Sequence, residues 1–369
     1  MPALDALGPV ARRRAPLSHT RAALARGRLG VGFLGGSITA PQARSRWPEP
    51  FAAWLSDARP DVRFTLANAA LGATGSDLAV FRVQAEIIRR GCDLVLVEYA
   101  VNDFDQPTAR RQRTREGLLR QLAAAPCDVV IVHTFRPEML AEMEAGRVPA
   151  SIAEFEVLAG HYGLNSIWIG LASLREVRRG LMTMADWLPD GLHPGPHGSL
   201  SYARSVIAAL ASELSADPAG VEAPRPAVRP EPLDAGSWEH VELVPLGEAE
   251  RHGPWTLGAW PSCPGMTVAL HTLAPAAGLR FGFTGRGLVL GFDFGHGSGE
   301  VRYRLDGGPW RETRRARPDW VGASGWFRPE VITDDLPPGR HQFELATVHR
   351  AAAHGGGTAT TLGFLGVIK

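Results

Sequence analysis

Cysteine is scarce in this chain: Cys92, Cys127 and Cys263 are the three among 369 residues. Three thiols cannot all pair, and they lack the close spacing of zinc ligands, so neither a disulfide framework nor a cysteine-built metal centre organises the fold. The scarcity favours a reducing compartment. A long apolar run is missing too, since nothing approaches the roughly 20 residues that span a bilayer. Arginines occur early, but the run of about 7 to 15 apolar residues that marks a secretory signal does not follow them. A cytoplasmic location without a membrane partner is therefore expected. Excess charge of one sign is the third absence: 39 Lys and Arg stand against 38 Asp and Glu, a net charge of +1. Such a balance offers no global field to nucleic acid. Clusters such as Arg12-Arg13-Arg14 and Arg110-Arg111 read as solvated faces.

What is present is an ordinary globular composition, 45% hydrophobic and 21% charged. The length implies two domains, because single cores rarely grow beyond roughly 250 to 300 residues. From Leu29 to about Leu210, short apolar runs alternate with helical patterns, the signature of βα units around a mainly parallel sheet. The runs are Leu29 to Leu34, Val62 to Ala67, Asp93 to Tyr99, Asp128 to Thr134 and Ser166 to Ile169. After Gly75, Ser76 is expected to cap a helix with Leu78, Phe81, Ala85 and Ile88 on one face and Gly91 at its end. Further helices are expected over Arg110 to Ala125, Ile152 to Tyr162 and Ser199 to Leu214. Prolines 218, 224, 226, 230 and 232 then crowd a semi-extended linker. Beyond Trp238 the period becomes two, with strands over 280–283, 288–294, 300–305, 342–346 and 361–368 and a hairpin turn at Asp306-Gly307. The expected domains are an α/β sandwich over 1–215, a linker over 216–235 and an antiparallel β-sandwich of jelly-roll type over 236–369.

Chemistry concentrates at the ends of the first-domain strands. Gly35-Gly36-Ser37-Ile38-Thr39 ends the first apolar run and exposes a hydroxyl on a turn that side chains would block, which is where acyl transfer needs a nucleophile. Serine hydrolysis also requires a base, an acid that orients it and donors for the oxyanion. Asp190-Gly191-Leu192-His193 places a carboxylate three residues before an imidazole, so that one ring nitrogen is bound and the other remains to take the serine proton. Asn102, in Val101-Asn102-Asp103, offers an amide after the third strand, and the segment from Asn68 to Ala73 offers backbone N–H groups after the second.

Ser37 in its Gly-Gly-Ser-Ile-Thr block, the small residues Gly72-Ala73, Asn102 in Val-Asn-Asp and Asp190-x-x-His193 resemble, in order and spacing, the four blocks of the SGNH (GDSL-like) hydrolase superfamily. The resemblance covers residues 29 to about 210. It implies a flavodoxin-like three-layer α/β/α fold and a metal-free, cofactor-free esterase with Ser37 as nucleophile, His193 as base and then acid, and Asp190 as orienter. The oxyanion would be held by the N–H of Ser37, the N–H of Gly72 or Ala73, and the Asn102 amide. Two positions depart from the usual blocks: Gly36 stands where an acid is frequent, and Ala73 stands where the second block carries glycine.

Other patterns in the same letters carry less. Gly30-Val31-Gly32-Phe33-Leu34-Gly35 fits a dinucleotide fingerprint, but its first glycines lie inside the strand. Thr39 occupies the second glycine of a GxSxG elbow. His193 and His197 are four apart, yet Pro194 and Pro196 prevent their pairing as metal ligands on one helix. His197 reads as a capping or loop residue, and Glu98, Tyr99 and His133 as structural support. Asp103 and Arg82 read as helix-docking residues or as neighbours behind the site. Trp310, Trp320 and Trp326 are expected either to stack sugar rings or to pack between the domains. An SGNH domain joined to a jelly roll resembles carbohydrate acetylesterases. The expected activity is thus removal of a small acyl group, most simply acetyl, from a saccharide ester, against a lipid- or thioester-directed hydrolase or a catalytically silent carbohydrate-binding protein.

Overall fold

A computed structural model describes residues 2–41, 45–215, 229–260, 266, 268–349 and 357–369. Contacts divide the chain into two compact units, Met1–Glu239 and His240–Lys369.

Six strands form the sheet of the first unit: β1 (Ala11–Arg12), β2 (Arg28–Leu34), β3 (Arg63–Asn68), β4 (Leu94–Val97), β5 (Asp128–Val132) and β6 (Asn165–Ile167). Their spatial order is β1-β6-β5-β4-β2-β3, with β2 to β6 parallel and β1 antiparallel on β6. Counted over the parallel strands alone, this is the 2-1-3-4-5 order of flavodoxin-like sheets. The helices are α1 (Pro2–Asp5), α2 (Ser18–Ala25), α3 (Pro48–Ala58), α4 (Ser76–Val83), α5 (Thr108–Ala123), α6 (Leu140–Glu144), α7 (Ala150–His161), α8 (Ile169–Arg178), α9 (Met184–Trp187) and α10 (Pro196–Leu214). Alternate strand residues feed two cores. Val31, Phe33, Leu94, Leu96, Val130 and Val132 pack with α3, α8 and α10, while Leu34, Val95, Val97, Val129 and Ile131 pack with α4, α5 and α7. Burial on both faces makes the three layers and explains why these strands read as continuous apolar runs.

The chain leaves β2 for β3 on one side and returns to β4 on the other. Neighbouring connections therefore diverge at the carboxyl ends of β2 and β4, the place where sheets of this kind open a crevice for ligands. The expectation for Ser76 needs correcting: it is the first residue of α4 rather than its cap, and the cap is supplied from a distance. Asp103 accepts from the Ser76 N–H at 2.9 Å and from its hydroxyl at 2.8 Å, and α4 runs on into a π turn at Gln84–Ile88. No helix among the described residues is long and apolar enough to cross a membrane.

Residues 216–228 of the expected linker lie outside the described residues, and the part that follows is fastened to α5. Glu116 accepts from the N–H groups of Leu233 and Asp234 at 2.6 and 2.9 Å, and Arg120 bonds Glu239 and the carbonyl of Pro230. Trp238 is fully buried, edge-on to Phe81. The second unit holds β7 (Val241–Val244), β8 (Glu250–His252), β9 (Thr256–Gly258), β10 (Ala269–Thr272), β11 (Gly278–Gly285), β12 (Gly287–Asp293), β13 (Glu300–Leu305), β14 (Arg311–Glu312), β15 (Phe327–Thr333), β16 (Gly339–Val348) and β17 (Thr360–Ile368). These pair antiparallel in two sheets, β15-β12-β17-β10-β9 with β7 on β17, and β14-β13-β16-β11-β8. Positive φ at Asp306 and Gly307, 51° and 69°, marks the turn between β13 and β14.

Gly117 explains why a glycine sits inside α5: a Cβ there would lie 2.4 Å from the carbonyl carbon of Trp238. Alanine normally stabilises a helix over glycine by roughly 0.5–1 kcal/mol. Gly117→Ala is expected to reverse that sign and destabilise by about 1–3 kcal/mol through overpacking. A thermal melt with an unchanged or raised Tm would contradict the docking of the 229–239 segment on α5.

Candidate active site

The structure brings Ser37, His193 and Asp190 together from two distant stretches. Ser37 follows β2, and its Oγ lies 2.8 Å from His193 Nε2. Asp190 and His193 share the loop before α10, where a left-handed Gly191, φ 86°, turns the chain back on itself. Asp190 Oδ2 faces His193 Nδ1 at 2.8 Å, and Oδ1 accepts from the N–H groups of His193 and Leu192 at 2.7 and 2.9 Å. Partial desolvation pushes the Asp190 carboxyl up, but the two amides and the imidazole outweigh it and bring the carboxyl down to about 2. An ionised Asp190 assigns the proton of the neutral ring to Nδ1, which leaves Nε2 as the acceptor facing Ser37.

The other predicted residues gather on the same side. Gly72 stands against Ser37, its would-be Cβ 3.7 Å from Ser37 Cβ. Next to it Ala73 is left-handed, φ 57°, which accounts for the glycine usual at that position. Among the described residues, the N–H groups of Ser37, Gly72 and Ala73 donate to no acceptor. Asn102 packs directly on Gly36: a Cβ at Gly36 would fall 1.8 Å from Asn102 Oδ1 and 2.6 Å from Nδ2. Oδ1 is buried there without a partner among the described residues.

Glu98, read from the sequence as sheet and loop support, lies beneath the same turn. Its carboxyl accepts from the Thr134 hydroxyl at 2.7 Å, the Thr39 hydroxyl at 3.2 Å and the Gly36 N–H at 3.4 Å. A Cβ on Gly35 would come within 2.9 Å of Glu98 Oε2. Neither Gly35 nor Gly36 has a positive φ, so the glycines serve close approach by Glu98 and Asn102 rather than a left-handed turn. Thr39, Thr134 and Trp47, whose Nε1 donates to Thr39 Oγ1 at 3.0 Å, were not singled out in the sequence. An acid ending the apolar run Leu94-Val95-Leu96-Val97 was the available signal.

The segment after Glu98 is pinned by a buried ion pair. Asp103 meets Arg115 at 2.8 Å with both side chains inaccessible. Arg115 also donates to the Ser151 carbonyl and hydroxyl and to the Tyr99 carbonyl. The remaining candidates lie elsewhere or in supporting roles. His133 is buried on Glu156 at 2.7 Å, Arg82 pairs with Glu86, and His197 is exposed in the first turn of α10. Trp320 is exposed, Trp310 partly so, and Trp326 is buried against Phe294.

Two predictions follow the geometry. Gly36→Ala should displace the Asn102 amide and, on the oxyanion role expected of Asn102 from the sequence, lower kcat by roughly 10²–10³-fold. Asn102→Ala should give a similar loss and the double variant little more; additive losses in a double-mutant cycle would refute the coupling. The second concerns Glu98, which burial pushes up to about 7 despite its hydrogen bonds, from an ordinary value of 4.5. Between those values the folded chain binds more protons than the unfolded one, so this group's contribution to stability falls as pH rises through the window, by up to about 3 kcal/mol. Glu98→Gln removes the decline. Urea unfolding at about pH 4 and pH 8 should show the variant gaining on wild type at the higher pH, and parallel pH dependences would contradict it.

No family model matches the chain, and no curated protein matches it. Two solved structures are similar over nearly its whole length. A two-domain esterase active on acetylated mannans aligns with a TM-score of 0.79 at 19% identity, covering 96% of this chain and 96% of its own. The esterase co-crystallized with mannopentaose aligns with a TM-score of 0.78 at 18% identity, covering 96% and 95%. The chain thus has the fold of that two-domain esterase, a mainly parallel α/β unit followed by an antiparallel β unit.

Proposed function

We propose that the chain is a serine esterase of the SGNH type that removes a small acyl group, most simply acetyl, from a carbohydrate or glycoconjugate. The observation that carries this reading is the continuous line from Asp190 through His193 to Ser37, 2.8 Å at each step, beside N–H groups with no other acceptor among the described residues. Ser37 Oγ attacks the ester carbonyl carbon while its proton passes to His193 Nε2. The negative oxygen of the tetrahedral intermediate is received by the N–H of Ser37, the N–H of Gly72 and Asn102 Nδ2, and Gly72 is preferred to Ala73 because it stands against Ser37. His193 then protonates the departing sugar oxygen, the acyl group rests on Ser37, and a water activated by the same imidazole releases it.

The saccharide part of the proposal draws on the similar structure, whose esterase acts on acetylated mannans. The site is compatible with a bulky alcohol, since the side chains of His193 and Asp190 are 42% and 56% exposed.

Ser37→Ala is expected to lower kcat/KM for p-nitrophenyl acetate by about 10⁴–10⁶-fold with an unchanged circular dichroism spectrum. Wild type should release acetate from acetylated oligosaccharides. Undiminished turnover by the variant would sink the nucleophile assignment, and preference for octanoyl or longer esters would move the substrate to lipids.

A further inference from the structure

Glu98 is fully buried, and among the described residues its hydrogen bonds come from three neutral donors rather than a cation. A carboxyl held in a dry interior without an ion pair destabilises a fold relative to an apolar side chain of its size. What it supplies is found in the turn above it.

Two successive peptide planes define that turn. In the plane joining Gly35 to Gly36, the Gly35 carbonyl accepts from Leu71 N–H at 3.0 Å, and the Gly36 N–H faces Glu98. In the next plane, the Gly36 carbonyl accepts from the N–H groups of Thr39 and Ala40 at 3.1 and 3.0 Å. The C=O and N–H of a trans peptide point in opposite directions. Fixing the Gly36 carbonyl on Thr39 and Ala40 therefore aims the Ser37 N–H away from them. Glu98 bonds both ends of this arrangement, the Gly36 N–H and the side chain of Thr39. Thr39 is held further by Trp47 Nε1 on its hydroxyl and by Asn68 Nδ2 on its carbonyl at 2.8 Å.

We propose that Glu98 is a positioning residue for acyl transfer: without touching substrate, its carboxyl holds Gly36 and Thr39 so that the Ser37 N–H faces the oxyanion and the Ser37 Oγ faces His193. This rests on Ser37 being the nucleophile. The working feature is an acceptor beneath the turn. Glutamine at position 98 retains one for Gly36 and Thr39 while its amide donates to Thr134, whose hydroxyl can rotate to accept. Methionine fills a similar volume and offers no comparable acceptor.

The test uses the full chain with p-nitrophenyl acetate at pH 8, rates being normalised to folded protein from urea unfolding. Glu98→Met is expected to lower kcat by about 10²-fold, the scale of a small misplacement of the reacting group, with KM changed by less than about threefold. Glu98→Gln should return kcat to within about fivefold of wild type, because it restores the acceptor. If Glu98→Met does not fold, Thr39→Val replaces it, with an expected loss of at least about tenfold, since the Thr39 hydroxyl bonds both Glu98 and Trp47. Wild-type kcat per folded molecule in Glu98→Met, or in Thr39→Val if that variant stands in, overturns the positioning role and leaves Ser37 as nucleophile. A wild-type chain without esterase activity overturns the nucleophile reading and the positioning role together.

Discussion

Close approach between the turn after β2 and the segment after β4 is the constraint on which the first unit depends. Gly35 and Gly36 carry no side chains, and the space is taken by Glu98 from below and Asn102 from the side. Only three residues separate those two, so one segment of chain supplies the floor of the turn and one wall of the site. The position of the Ser37 hydroxyl, and hence its 2.8 Å contact with His193, follows from how that segment is held.

The holding is electrostatic and largely buried, and its two carboxyls are treated differently. Asp103 is neutralised by Arg115, which also satisfies carbonyls at Tyr99 and Ser151. Removing one partner of such a pair leaves a bare charge and costs about 3–5 kcal/mol. Glu98 has no such partner among the described residues and is pushed up to about 7. The first carboxyl anchors the segment in the fold, and the second spends stability at a place where the backbone must be aimed. Strain and uncompensated polarity collect where chemistry is done. The left-handed Ala73 beside Gly72 belongs to the same pattern.

Much of this was legible in the sequence because it is local. The strands β2, β4 and β5 are largely apolar runs of four to seven residues, visible because both their faces are buried. Asp190-x-x-His193 is a single turn whose hydrogen bonds close within four residues, so its spacing carries its geometry. What stayed hidden depends on contacts distant in the chain. The role of Gly35 and Gly36 required knowing that residues 98 and 102 would arrive there, and the cap of α4 comes from Asp103 rather than from Ser76. The two-residue β1 and the short α2 have no periodic signature, since pairing with β6 and packing under the sheet create them. The proline-rich composition after Leu214 reads as extended chain, and the attachment of residues 229–239 to α5 is betrayed only by a glycine inside that helix.

Everything in the proposed chemistry turns on Ser37 acting as the nucleophile, made reactive by His193, with the surrounding N–H groups receiving the oxyanion. Treating the full chain with a fluorophosphonate and mapping the adduct by mass spectrometry tests it most directly. One adduct is expected, on Ser37, lost when His193 is replaced by alanine. No adduct, or an adduct on another serine that persists without His193, would contradict it.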